Sequence, residues 1–192
     1  MSQTDKPVAY LAQGKLYVLK DGTSMAVESA FGQEILSRAQ QAAERRNWRG
    51  GVDDGMNLFA GRMLWGGQIA DSNVPPLVVM GIAGGPQNHE LTYVLDTGVV
   101  GALLRLDLES GKERRLFHKA NFHCEHLAMR DDGERIACSV LHQDGTSGIG
   151  IMEADGSGLH TITEGDSLDQ VPSWVPGIGT KLLYQSAGFA RD

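Results

Sequence analysis

A shift of 46 places along this chain lays Leu91–Phe117 over Ala137–Thr163 without a gap. A self-similarity of that length constrains the fold more than any single motif does. Leu95 meets Leu141, Leu103 meets Ile149, Leu106 meets Met152 and Leu116 meets Ile162. The turn segments coincide too, DTG with HQDG and ESGK with DGSG. The same step carries Gly133 onto Gly179, Ile136 onto Leu182 and Cys138 onto Tyr184. Few residues are identical. What repeats is the register of apolar and turn positions.

Within one unit the apolar period is two, the period of a strand with one face buried. RIACSV alternates after Asp132-Gly133, HQDGTSG turns, IGIME follows, ADGSG turns again and LHTIT ends the unit. These are four short strands joined by hairpin turns, whose positive φ angles Gly and Asp tolerate best. The chain holds 25 glycines in 192 residues, about twice the usual share. A four-stranded antiparallel unit of about 40–45 residues is the blade of a β-propeller. A β-sandwich, with short strands at similar spacing, is the competing architecture. The expected fold class is therefore all-β, a propeller of four-stranded antiparallel blades that is incomplete in this chain.

Asp155-Gly156-Ser157, Ile162-Thr163, Asp169, Pro172 and Trp174 stand in order along the last unit. Pro176 and Ser186 follow, with one extra residue in VPGIG. This pattern resembles the TolB-type, WD40-like propeller repeat. The preceding unit keeps Asp132-Gly133 and Ile136-Ala137 but has Met129 near the Trp position and Asp131 where the Pro belongs. The resemblance spans Leu91 to Ser186, about half the chain, and implies fold far more than function. It also implies a central channel approached by the crossings between blades. Some TolB-like propellers, the oligogalacturonate lyases among them, hold a metal in that channel with histidines. Others precede the catalytic domain of prolyl-oligopeptidase-like peptidases.

The first half departs from the pattern. Val8–Ser29 offers short strands with turns at Gln13-Gly14 and Asp21-Gly22. Phe31, Ile35, Ala39, Ala42 and Ala43 then recur at helical spacing, which predicts an amphipathic helix over residues 33–47, packed on the core. RGGVDDG reads as a linker, while LFAGRMLWGG and PPLVVMGIAGG each read as one strand. PPLVVMGIAGG is expected to be the innermost strand of the blade ending at Phe117. The chain thus divides into an irregular part over 1–75, blades over 76–118 and 122–164, and the start of another blade over 172–187. TolB-like propellers usually carry about six or more blades, so a part of a longer propeller is expected. The alternatives are a small ring closed by the N-terminal strands and copies associating through open strand edges.

The formal net charge of −7 argues against a nucleic-acid partner, which requires clustered Lys and Arg. The start lacks the basic end and apolar run of a secretory signal. The longest apolar stretch, VPPLVVMGIAGG, falls far below membrane-spanning length. A cytoplasmic chain without a membrane partner is expected, or a periplasmic one within a longer precursor. In the cytoplasm Cys124 and Cys138 would be reduced thiols.

The densest set of potential ligands is FHKANFHCEH, with His118, His123, Cys124 and His126. Imidazole and thiolate bind zinc and similar ions. His123 and His126 are the candidate metal ligands, and His118 and Cys124 are weaker ones. Against this, neighbours in an extended chain point to opposite faces, so His123 and Cys124 do not easily share an ion. The competing reading makes all four polar crossover residues, and no other cofactor is expected. MGIAGGPQ lacks the Lys-Ser/Thr of a phosphate loop, and no G-x-S-x-G elbow occurs. Asp53-Asp54 and Asp131-Asp132 precede Gly and read as turns, and Trp48, Trp65 and Trp174 as packing residues. The expected function is a non-catalytic binding module that holds a protein or small ligand at a propeller face or channel. The alternative is an enzyme, either a metal-dependent lyase with channel histidines or the propeller portion of a larger hydrolase. No catalytic residue is assigned.

Overall fold

The structure of the protein, a computed structural model, describes residues 8–45, 77–97, 100–120, 123–142, 145–163, 165–177 and 179–188. RGGVDDG, LFAGRMLWGG, Trp48 and Trp65 lie outside them. Two hairpins open the fold: β1 (Val8–Ala12), β2 (Lys15–Lys20) and β3 (Thr23–Ala26) form a three-stranded antiparallel sheet. Its turns carry positive φ at both central residues, 52° and 71° at Gln13-Gly14 and 51° and 75° at Asp21-Gly22. That geometry matches the right-handed twist of the flanking strands. Helix α1 (Gly32–Arg45) follows, and the 3.6-residue period buries Ile35 and Ala39 while Glu34 and Arg38 pair on the exposed side.

A four-stranded antiparallel blade comes next, in the order β4 (Val78–Gly84), β5 (Glu90–Asp96), β6 (Val100–Asp107) and β7 (Glu113–Ala120). Its middle strands are apolar on both faces because both faces are covered. Leu91, Tyr93, Leu95, Leu104 and Leu106 meet Leu16, Ile35 and Ala39 on one side. Val94 and Leu103 meet Cys124, Ile136, Cys138 and Met152 on the other. The helix therefore covers this blade together with the three-stranded sheet. Strand β7 holds it there: Glu113 Oε2 accepts from Ser29 Oγ at 2.9 Å and from the Ala30 N–H at 2.8 Å. Two residues on, Arg115 donates to Glu34 at 2.7 Å and lies over the Phe31 ring. Burial raises the pKa of Glu113, and the hydrogen bonds from Ser29, Ala30 and Phe31 only partly offset it.

The second blade runs β8 (Cys124–Met129), β9 (Arg135–Leu141), β10 (Ser147–Glu153) and a two-residue β11 (His160–Thr161), all antiparallel neighbours. A last hairpin, β12 (Ser167–Trp174) and β13 (Leu182–Gly188), joins it through one parallel bridge, Ser147 to Leu168. Each unit docks on the one before. The Arg130 guanidinium lies over the Trp174 ring, whose Nε1–H donates to the Ala128 carbonyl at 3.0 Å. One unit earlier, a Cβ on Gly133 would stand 2.8 Å from Pro86 Cα, so only glycine fits that turn (φ 73°). Among the described residues, the β1–β3 sheet shares no pairing with β12 or β13, and the ring is open. No helix among them is long and apolar enough to cross a membrane.

The expectation of reduced thiols is corrected: Cys124 and Cys138 are joined as a disulfide with Cα atoms 6.1 Å apart. Cys124 stands opposite Val140, which makes Cys138 its diagonal neighbour two places along β9. That separation lies within the span a disulfide bridges.

Candidate binding site on the inner strands

The first strands of successive units lie side by side, β4 against β8 and β8 against β12. Their approach is close, since a Cβ on Gly81 would stand 3.0 Å from the backbone nitrogen of His126. Strands β8 and β12 each carry a β-bulge at the corresponding place. Pairing runs from Glu125–Ser139 to Ala128–Ala137 in one, and from Gln170–Gln185 to Ser173–Leu183 in the other. An extra residue bends such a strand and re-aims its side chains. At each bulge one residue is left-handed: His126 at φ 52° and Val171 at φ 54°. For β-branched Val171 this is a true outlier, and strain of this kind gathers at functional sites.

A polar row crosses from one bulge to the other. Buried Ser139 accepts the Val171 N–H at 3.2 Å and lies 3.3 Å from His126 Nδ1. Glu125 Oε1 accepts from Gln170 Nε2 at 3.4 Å and lies 3.7 Å from His126 Nδ1. His126 itself is exposed. The row thus offers a carboxylate, an imidazole and an amide at one solvent-facing place, a mixture of donors and acceptors fit to orient a polar ligand.

His123 lies one residue before β8 in a different setting. It is 5% exposed, and its Nδ1 is 2.9 Å from Oδ2 of Asp96, itself 1% exposed. The pair ties the end of β5 to the crossing into β8, and the Leu141 N–H donates to the His123 carbonyl at 3.0 Å. Of the four residues singled out in FHKANFHCEH, His123 is therefore buried against Asp96, Cys124 is bonded to Cys138 and His126 is in solvent. The His118 side chain lies outside the described residues. Among those residues no three His, Cys, Asp or Glu side chains converge as metal ligands. Sequence reasoning missed Asp96, Glu125, Ser139 and Gln170, which lie on four different strands and share no local motif.

Asp169 anchors the start of β12. It is buried, which alone would raise its pKa, but hydrogen bonds from Ser186, Thr163 and Ser167 hold the carboxyl below the usual range.

The sequence matches no protein-family model. It matches no curated protein either. Solved structures do match. TolB from Acinetobacter baumannii superposes with a TM-score of 0.54 at 12% identity, over 98% of this chain and 40% of that one. A chain of the nidogen/laminin complex gives a TM-score of 0.54 at 12% identity, over 93% of this chain and 52% of that one. This chain thus spans 40% and 52% of the lengths of these two neighbours. At such identities the likeness concerns architecture alone: the chain folds as an open part of a TolB-like β-propeller.

Proposed function

We propose that this propeller is a non-catalytic binding module that holds a protein segment or a small polar ligand where its inner strands meet. The observation that carries this reading is the pair of strained bulges at His126 and Val171, linked through Ser139. Strain held at two corresponding places of neighbouring blades costs stability, on the order of 1–3 kcal/mol at each. It aims Glu125, His126 and Gln170 as one group. The acidic chain favours neutral or cationic ligands over anionic ones.

The test is a thermal-unfolding screen of polar metabolites, divalent cations and peptides, run on the wild type and on a Glu125→Gln, His126→Ala double variant. A compound that raises the wild-type melting temperature but not the variant's supports the reading. Conversion of a bound compound to product, lost in the variant, would replace it with the enzyme alternative. A ligand whose effect survives both substitutions places binding elsewhere.

A further inference from the structure

We propose that the Cys124–Cys138 disulfide is a redox switch for the polar row. Oxidised, it holds the bulge that presents Glu125 and His126; reduced, it lets that bulge relax. The two cysteines frame the row. Cys124 precedes Glu125, Cys138 precedes Ser139, and Glu125 and Ser139 stand directly opposite each other. Beyond that pair the ladder resumes at Ala128–Ala137, so His126 and Leu127 together face the single residue Cys138. A bulge of this kind leaves a residue unpaired and a gap in the ladder. The disulfide therefore joins the residue that faces the bulge to the strand just before it.

The neighbouring unit shows what the bond replaces. There Asp169 stands directly opposite Ser186 and accepts a hydrogen bond from its hydroxyl at 2.5 Å, one place before Gln170 and the bulge at Val171. Cys124 holds the corresponding place on β8, but the residue opposite is Val140, whose side chain has neither donor nor acceptor. The tie between first and second strands is thus a hydrogen bond in one unit and a covalent bond in the other. Only the covalent one answers to redox state.

Both cysteines are buried, packed among Leu127, Ile136 and Met152. A dithiol reductant reaches them only when β8 lifts from β9, and the gap at the bulge is where the two strands are least held. In the exchange a thiolate of the dithiol attacks one sulfur, and its second thiol then displaces the mixed disulfide and closes a new one. Cys124 and Cys138 take up the two electrons and two protons that the dithiol gives. The two thiols, no longer bonded, have to move apart inside a close-packed core, and the bulge takes up the shift. Ser139 follows Cys138, and its hydroxyl accepts the Val171 N–H at 3.2 Å, so the change passes into the next unit. As a control of ligand binding the switch rests on the reading above; as a control of the row's geometry it stands apart from it.

The experiment is amide hydrogen exchange by NMR on the 192-residue chain, without ligand, before and after dithiothreitol in native buffer. Alkylation under denaturing conditions, read by mass spectrometry, counts the thiols in each sample. No alkylated cysteine is expected before treatment, and both are expected after it. On reduction the Val171 N–H should exchange faster by about tenfold or more. The Val27 N–H, held by the Leu16 carbonyl in the first sheet, should keep its rate. A Cys124→Ala, Cys138→Ala double variant should match the reduced protein and ignore dithiothreitol, and the wild-type reduction carries the test whether or not that variant folds. Two free thiols in protein purified without reductant would overturn the proposal. So would a disulfide that dithiothreitol leaves intact in the native protein, which would be an inert staple. An unchanged Val171 rate would detach the bond from the row, and equal acceleration at Val27 and Val171 would mean that it merely holds the fold; either result sinks the switch. No readout here involves a ligand, so failure of the switch and failure of the ligand screen are told apart.

Discussion

Arg105 of β6 donates from Nη2 to the Ala154 carbonyl of the next blade at 2.6 Å, and from Nε to Thr92 Oγ1 at 3.2 Å. The side chain is buried, and desolvation lowers its pKa. An arginine holds its charge through any such shift, so a cation is kept inside by fixed carbonyl and hydroxyl dipoles. Arg105→Ala should cost about 2–4 kcal/mol in urea unfolding at fixed protein concentration, since it empties volume and strips a buried carbonyl of its donor. Arg105→Lys should recover only part of this, because one ammonium does not reproduce the two-armed fork. An Arg105→Ala variant as stable as the wild type would remove Arg105 from the blade junction.

Turn glycines separate strain from packing. Gly133 and Gly22 share a left-handed backbone, φ 73° and 75°, but a Cβ on Gly133 would meet Pro86 while one on Gly22 meets nothing within 4 Å. Gly22→Ala should therefore cost about 1 kcal/mol, the conformational penalty alone. Gly133→Ala should cost at least about 1 kcal/mol more, because the neighbouring blade has to shift. Equal losses in the two variants would show that the contact between turns carries no energy.

Glu113 predicts a pH dependence of definite sign. Burial raises its folded pKa above the unfolded value, so the folded state holds the proton more tightly. Its contribution is greatest below the ordinary carboxylate range and declines as pH rises through the raised folded value. Glu113→Gln keeps an acceptor for Ser29 and the Ala30 N–H but cannot ionise. The melting temperature of Glu113→Gln relative to wild type should therefore climb with pH across this window. A difference that stays flat or falls would contradict the assignment.

The motif aspartate, Asp169, behaves in the opposite way. Ser186 Oγ donates to it at 2.5 Å across the hairpin, and its pKa is lowered. Its stabilisation is full above the ordinary carboxylate value and is lost as pH falls through the depressed one. Asp169→Asn should cost about 1–3 kcal/mol at neutral pH. The gap from wild type should close in acid, as followed by denaturant midpoints across a pH series. A gap that persists in acid would mean that the charge is not what Ser186 and its neighbours recognise.

The sequence by itself determined the local elements. Period-two apolar runs, the turns at Gln13-Gly14, Asp21-Gly22 and Asp132-Gly133, and the helical spacing of Ile35 and Ala39 all depend on residues a few places apart. The repeat added the propeller, because self-similar units that cannot bury their own faces must stack. The tertiary structure decided the rest. Asp96 and His123 lie 27 residues apart, Cys124 meets Cys138 only through strand register, and Ser139 joins two bulges from the strand between them. Such contacts depend on which strand comes to lie beside which, and where a ladder gains an extra residue. No residue carries that information alone, because register is settled by the burial of whole faces at once.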